Sequence, residues 1–262
     1  MLNRPNEPQS HQRHRLLGIP ISVMSLPEVV TAVAYGATET GGYVGVCNVH
    51  SLITASRDDE LRHALEGGLI NTADGMPLVW ALRLLGYRST TRVYGQALME
   101  ALLASRRIRR HYLVGSTDDV QRRLLTRLRD HYPNAEVVGR WVPPFTGAVP
   151  ELPDQIRSDI AKTRPQVVWV GLGCPRQEKW MLRYWQQLAP AVLIGVGAAF
   201  DFLAGIRAQA PGWMRRSGLE WLFRLASEPR RLAWRYLSTN PVFIWRMAGQ
   251  ILRERVKSSG RL

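Results

Sequence analysis

The chain has 262 residues, enough for one sizeable core or for one domain with an appendage. With 45% hydrophobic and 21% charged residues it reads as globular and excludes a disordered chain. The net charge is +14, carried almost wholly by arginine, since Lys162, Lys179 and Lys257 are the only lysines; this points to a polyanionic partner, whether nucleotide, nucleic acid or anionic lipid.

Residues 1–15 are polar, with two prolines and no apolar run, and read as a disordered leader instead of a signal peptide. Two cysteines, Cys47 and Cys174, make no disulfide framework, so a reducing cytoplasm is the simplest setting. No window reaches the roughly eighteen uncharged apolar residues that a spanning helix requires, which leaves a membrane surface as the one membrane location expected.

Short Val- and Ile-rich runs at 43–47, 69–72, 111–114, 166–170 and 192–196 predict buried parallel strands. Helical patterns at 26–38, 51–65, 77–85, 97–105, 120–132, 155–163 and 177–188 alternate with them. Such alternation predicts an α/β fold, a Rossmann-like and largely parallel sheet flanked by helices, over residues 16–202. The proline-rich stretch 141–153 reads as a loop. After Phe202 the rhythm stops, and residues 203–262 read as a helical appendage rich in Arg and Trp. Twelve of the 35 Arg and Lys residues lie from Ile206 onward, against three Glu. In the last segment Ile244, Met247, Ala248, Ile251 and Leu252 form one expected apolar stripe opposite Arg246, Gln250, Arg253 and Glu254.

In a parallel α/β fold ligands bind beyond the carboxyl ends of the strands, so the residues after each strand are the candidates. Cys47-Asn48-Val49-His50 closes the first run; Asn48 suits a ligand or a helix cap, and His50 a helix surface or catalysis. Asn71-Thr72-Ala73-Asp74-Gly75-Met76-Pro77 closes the second; Asp74 is either a helix cap or a general base within ~3 Å of a hydroxyl. Gly171-Leu172-Gly173-Cys174-Pro175-Arg176-Gln177-Glu178 offers backbone N–H groups to an anion, and Gln177 a donor and an acceptor to a uracil or ribose. Its third glycine position is Arg176, which argues against a dinucleotide fingerprint. Gly195-Val196-Gly197-Ala198-Ala199-Phe200-Asp201-Phe202 repeats the Gly-x-Gly turn, with Asp201 as a helix-start acid or a sugar ligand. Arg207, Arg215, Arg216, Arg224, Arg230 and Arg231, interleaved with Trp213, Trp221 and Trp234, suit a diphosphate or a membrane interface. No Asp-x-Asp pair is available for a metal-bound diphosphate, so arginines are expected to neutralise it.

Taken in order, these motifs, with Arg92-Val93-Tyr94-Gly95, Tyr112-Leu113-Val114-Gly115, Ala210-Pro211-Gly212-Trp213, Gly218-Leu219-Glu220-Trp221 and Glu228-Pro229-Arg230-Arg231, resemble the WecG/TagA/CpsF family, glycosyltransferase family twenty-six. The resemblance runs from about Leu17 to Tyr236. It implies a metal-independent, inverting transferase without a cofactor, moving a sugar from a UDP-sugar to a polyprenyl-diphosphate-linked acceptor for a bacterial cell-surface polysaccharide. It implies Asp74 as the catalytic base. The substrate-binding positions it implies are Asn48, Thr72, Arg92, Gly95, Gly115, Gly171, Gly173, Gln177, Gly197, Asp201, Arg207, Arg215, Arg224, Arg230 and Arg231. It implies a C-terminal appendage that closes over the site at the inner face of the plasma membrane; the amphipathic pattern of the last segment offers an oligomer contact as the rival use. Val46 and Ala97 stand where the family often has Thr and Asp, which bears on the donor sugar. Two other classes follow from the residues: a nicotinamide-dependent oxidoreductase, from the glycine turns, and a nucleic-acid-binding protein, from the charge and the Arg/Trp interleaving.

Overall fold

The computed structural model describes residues 11–259, without the side chains of Arg215, Arg216, Arg231 and residues 257–259. It opens with a hairpin of β1 (Arg13–Leu16) and β2 (Ile19–Ser22), turned through Leu17 and Gly18 at φ of 50° and 90°. Positive φ at both turn residues matches the twist of the flanking strands. Then come α1 (Leu26–Gly36), β3 (Gly42–Cys47), α2 (Val49–Ala55), α3 (Asp59–Glu66), β4 (Ile70–Ala73), α4 (Met76–Leu84), α5 (Gly95–Leu103) and β5 (Arg110–Gly115). The chain continues through α6 (Asp118–His131), β6 (Glu136–Trp141), α7 (Asp154–Thr163), β7 (Val167–Gly171), α8 (Arg176–Leu188) and β8 (Val192–Gly195). Four helices finish it: α9 (Ala199–Leu203), α10 (Gly212–Arg216), α11 (Glu220–Ser227) and α12 (Pro229–Ser259).

The six strands β3 to β8 form one parallel sheet in the order β4-β3-β8-β7-β5-β6. Side chains alternate between its faces, as a period of two requires. Trp169 and Ile194 pack with α1, α5 and α6 on one face, and Val168, Val170 and Leu193 pack with Trp180 and Met181 of α8 on the other. Every strand being parallel, Asn48, Asp74, Gly173 and Gly197 all follow strands at the same edge of the sheet. The α/β class read from the alternation is the class observed.

Four expectations are corrected. The segment read as a leader extends to residue 15, yet Arg13–Leu16 is a strand; residues 1–10 lie outside the described residues. β6 lies where no strand was expected, reaching into the start of the stretch read as a loop. The single helix expected over 51–65 is two, because the Asp58 side chain accepts from Leu61 N–H (3.0 Å) and caps a new start. The single apolar stripe of the last helix is divided. Met247 is buried and Ile251 packs beside it, whereas Ile244 and Leu252 face outward.

That division follows from how α12 docks. Phe243 and Met247 sit in a core shared with Leu16, Ile19, Leu52 and Leu82. Gln250 clamps the hairpin: its carbonyl accepts from Leu17 N–H (2.9 Å) and its amide donates to the Arg15 carbonyl (2.6 Å). The Glu254 carboxylate lies 3.2 Å from His14 Nε2. The face turned away carries Trp234, Leu237, Ile244, Trp245, Leu252 and Val256, all exposed. No helix among the described residues is long and apolar enough to cross a membrane.

Candidate active site

Two clefts meet at the carboxyl ends of β3 and β4. The first runs past the two glycine turns and is lined by Gly173, Gln177, Gly195 and Gly197, with Tyr94, Gly95, Gln96 and Gln209 opposite. The second is more apolar, between α4, α11 and α12, with Met76, Pro77, Trp221, Tyr236, Phe243 and Ile244. Asn48, His50, Asp74, Glu220, Arg224 and Arg235 line both.

Asp74 does not cap α4. Gly75 holds the cap position and no side chain satisfies that helix start. The Asp74 carboxylate instead has two long contacts: Asn48 Nδ2 at 3.5 Å and Arg92 Nη2 at 3.6 Å. Burial pushes its carboxyl above the ordinary value; Arg92, Arg224 and Asn48 pull the other way, and Glu220 adds to the rise. Arg92 donates through Nε to the Asp74 carbonyl, pairs through Nη1 with Glu220 (2.8 Å) and lies over the Tyr94 ring at 4.5 Å. Burial opposes its charge, but the two carboxylates outweigh that and hold its pKa above the usual value. Of the two uses weighed for Asn48, the structure shows the helix cap: it caps α2 by accepting from Ser51 N–H (3.2 Å).

Gln177 joins the two glycine turns. Its Oε1 accepts from Gly197 N–H (3.1 Å) and its Nε2 donates to Glu178 Oε1 (2.9 Å), so one N–H and one lone pair remain for a ligand. Glu178 is fully buried, and burial raises its carboxyl. His50 is held neutral: burial, then the charge of Arg235, bring it down to about 4.

Other expected positions lie elsewhere. Thr72 is buried and donates to the Val93 carbonyl (2.9 Å). Gly115 and Gly171 line neither cleft; a Cβ on Gly115 would come within 2.7 Å of the Gly171 backbone, and one on Gly171 within 2.9 Å of the Phe200 ring. These two glycines serve close packing of backbone and ring. Asp201 pairs with Arg207 (2.8 Å), which also pairs with Glu228, and none of the three lines a cleft. The triad ties α9 to the start of α12, and Asp201 is the acid in the first turn of α9, as one of its two expected readings had it, without a side-chain cap bond. Arg230 is exposed and lines neither cleft. The side chains of Arg215 and Arg231 lie outside the described residues.

Arg235 and Tyr94 join the site without having been singled out. Tyr94 stood in a quoted motif, while Arg235 is one of many arginines in a helix and carries no local signal. Among the described residues no group of three or more His, Cys, Asp or Glu could hold a metal ion.

A parallel sheet with ligand-sized clefts at its strand ends, walled by guanidinium groups and entered by a half-buried carboxylate, has the form of an α/β enzyme acting on an anionic substrate. The model of the glycosyl transferase WecG/TagA/CpsF family matches residues 14–257, and the chain belongs to that family. It is therefore a glycosyltransferase. It is 29% identical over 205 residues to N-acetylglucosaminyldiphosphoundecaprenol N-acetyl-beta-D-mannosaminyltransferase of Bacillus subtilis, covering 78% of this chain and 77% of that one. It is 26% identical over 206 residues to the enzyme of the same name from Bacillus spizizenii, with the same coverage.

Proposed function

We propose that this glycosyltransferase transfers a sugar from a UDP-sugar, with inversion and without a metal, to a polyprenyl-diphosphate-linked N-acetylglucosamine, for a cell-surface polysaccharide. The observation that carries the reading is the meeting of two clefts at a loosely held carboxylate, Asp74. The first cleft, with its glycine turns and Gln177, suits the nucleotide. The second, with its Trp, Tyr, Phe and Ile side chains, suits the acceptor and the start of its lipid. The acceptor class rests on the names of the Bacillus relatives.

In the proposed step the acceptor hydroxyl attacks the anomeric carbon. Its oxygen forms the new bond to that carbon as the bond to the β-phosphate oxygen breaks, and UDP departs with the electron pair. Asp74 takes the hydroxyl proton. Arg224 and Arg235, open on both clefts, neutralise the departing diphosphate. Asn48 orients the sugar or the acceptor. Glu220 opens on the same junction, but its 2.8 Å pair with Arg92 makes it the poorer base.

Residues 203–262 act in this reading as an appendage that closes over the site and rests on the inner membrane face. The exposed Trp234, Leu237, Ile244 and Trp245 support that contact, because isolated apolar side chains along one face of a cationic helix partition into a lipid interface. The test is a panel of UDP-sugars, UDP-N-acetylmannosamine among them, with an N-acetylglucosaminyl-diphospho-polyprenol analogue, read by UDP release. Asp74→Asn is expected to keep UDP binding and to lose about 10²–10⁴-fold in rate, the usual worth of a positioned base. Near-full turnover by that variant removes Asp74 from the role. Thermal stabilisation by NAD and not by UDP would instead favour the oxidoreductase reading.

A further inference from the structure

Asp74 and Glu220 both open on the two clefts, and they are held differently. Arg92 faces them together. Its Nη1 lies 2.8 Å from Glu220, while its Nη2 lies 3.6 Å from Asp74, outside hydrogen-bond range. Its own position is set from behind, by the Asp74 carbonyl and the face of Tyr94. One guanidinium therefore serves two carboxylates, and the close contact goes to the one supplied by α11. Resting on the reading of Asp74 as base, we propose that Glu220 is a positioning residue: it engages Arg92 in the short ion pair and so leaves the Asp74 carboxylate available to an acceptor proton.

The physical reason is the cost of a close guanidinium to a base. A carboxylate 2.8 Å from a guanidinium has its charge stabilised, which lowers its proton affinity. At 3.6 Å that effect is weaker. The other polar and titratable groups around Asp74 are Asn48 and His50 at the start of α2, Cys47 at the end of β3, Arg224 of α11, and Arg235 and Tyr236 of α12. Arg224 acts in the same direction as Arg92, so Glu220 is the one carboxylate among these neighbours that opposes them. The base is thus tuned from the C-terminal segment, far along the chain from the strand that carries it.

The test is the pH profile of kcat/KM for the wild type, Glu220→Gln and Glu220→Asp, with UDP binding measured on each to show a folded donor site. Gln keeps the shape of Glu and loses its charge, so Arg92 closes on Asp74. The acid limb is expected to move to lower pH and the rate at neutral pH to fall roughly tenfold, with the donor KM little changed. Asp, one methylene shorter, is expected to fall between Gln and the wild type. A loss that is uniform at every pH, with the acid limb where the wild type has it, marks a merely structural role and overturns the proposal. Should Glu220→Gln fail to fold, Glu220→Asp carries the same comparison, and an unmoved limb there overturns it equally. The two levels separate cleanly: an active Asp74→Asn overturns the base reading itself, whereas an inactive Asp74→Asn with an unmoved limb in the Glu220 variants overturns only this proposal.

Discussion

Asp74 should register in stability as well as in rate. Burial raises its carboxyl, so ionising it costs more in the folded chain than in the unfolded one. The stability this residue contributes is present below the ordinary carboxylate range and is lost as pH rises through the raised value. Asp74→Asn removes that cost and is expected to melt at a higher temperature than the wild type at neutral pH, with the difference shrinking toward about pH 3. A lower melting temperature at neutral pH would contradict the sign. His50 and His111 run the other way. Burial holds both neutral, each at about 4, so their stability is present above the ordinary value of 6.5 and is lost as pH falls toward 4. Melting curves of His50→Gln are expected to show a shallower loss over that window. Gly115 is a third case. Its φ of 103° and the 2.7 Å approach to Gly171 leave no room for a methyl group, so Gly115→Ala is expected to cost at least about 2 kcal/mol in urea unfolding. Because it lines neither cleft, the folded variant is expected to bind UDP as the wild type does.

At the scale of elements, the buried strands were legible because each is a short, largely apolar run ended by Gly, Asn or Asp. The edge elements were not. β1 has alternating Arg and His residues and only four positions, and its turn is Leu-Gly in place of the stronger Asn-Gly signal. β6 carries Gly139 inside it, a residue that weakens a strand pattern; here a Cβ would strike the Tyr112 ring, so glycine is demanded by the neighbouring strand. What holds the hairpin is also distant: Gln250 of α12 bonds both sides of its turn. Gln250→Ala is expected to cost about 1 kcal/mol by urea unfolding, the ordinary net worth of such bonds, and to raise hydrogen exchange at Leu17. Unchanged exchange there would separate the hairpin from α12.

For the whole molecule, the question is how much of the last sixty residues belongs to the body. Phe243 and Met247 complete a core, while Trp234, Leu237 and Trp245 on the opposite side do not. The outward set is expected to be the membrane contact. Replacing Trp234 and Trp245 by Ser is expected to weaken binding to vesicles rich in anionic lipid while UDP binding holds, and salt is expected to weaken the wild type as well. Vesicle binding untouched by both changes would refute the peripheral role and favour α12 as a contact between copies.

Much of this was determined by local order along the chain. Alternating apolar runs and helical patterns made the α/β class legible, and Asn48, Asp74 and the glycine turns could be singled out because a parallel sheet gathers its strand ends at one edge. The family resemblance added Arg92 and the GLEW stretch. Other assignments were decided only by tertiary structure, because they depend on which distant groups share a space. Local sequence cannot say that Arg207 is taken up by Asp201 and Glu228, that Gly115 serves packing, or that Arg235 and Glu220 reach the junction of two clefts. Charge is a property of a residue, but the partner that neutralises it is a property of the fold, and electrostatic influence depends on distances that only the folded chain sets.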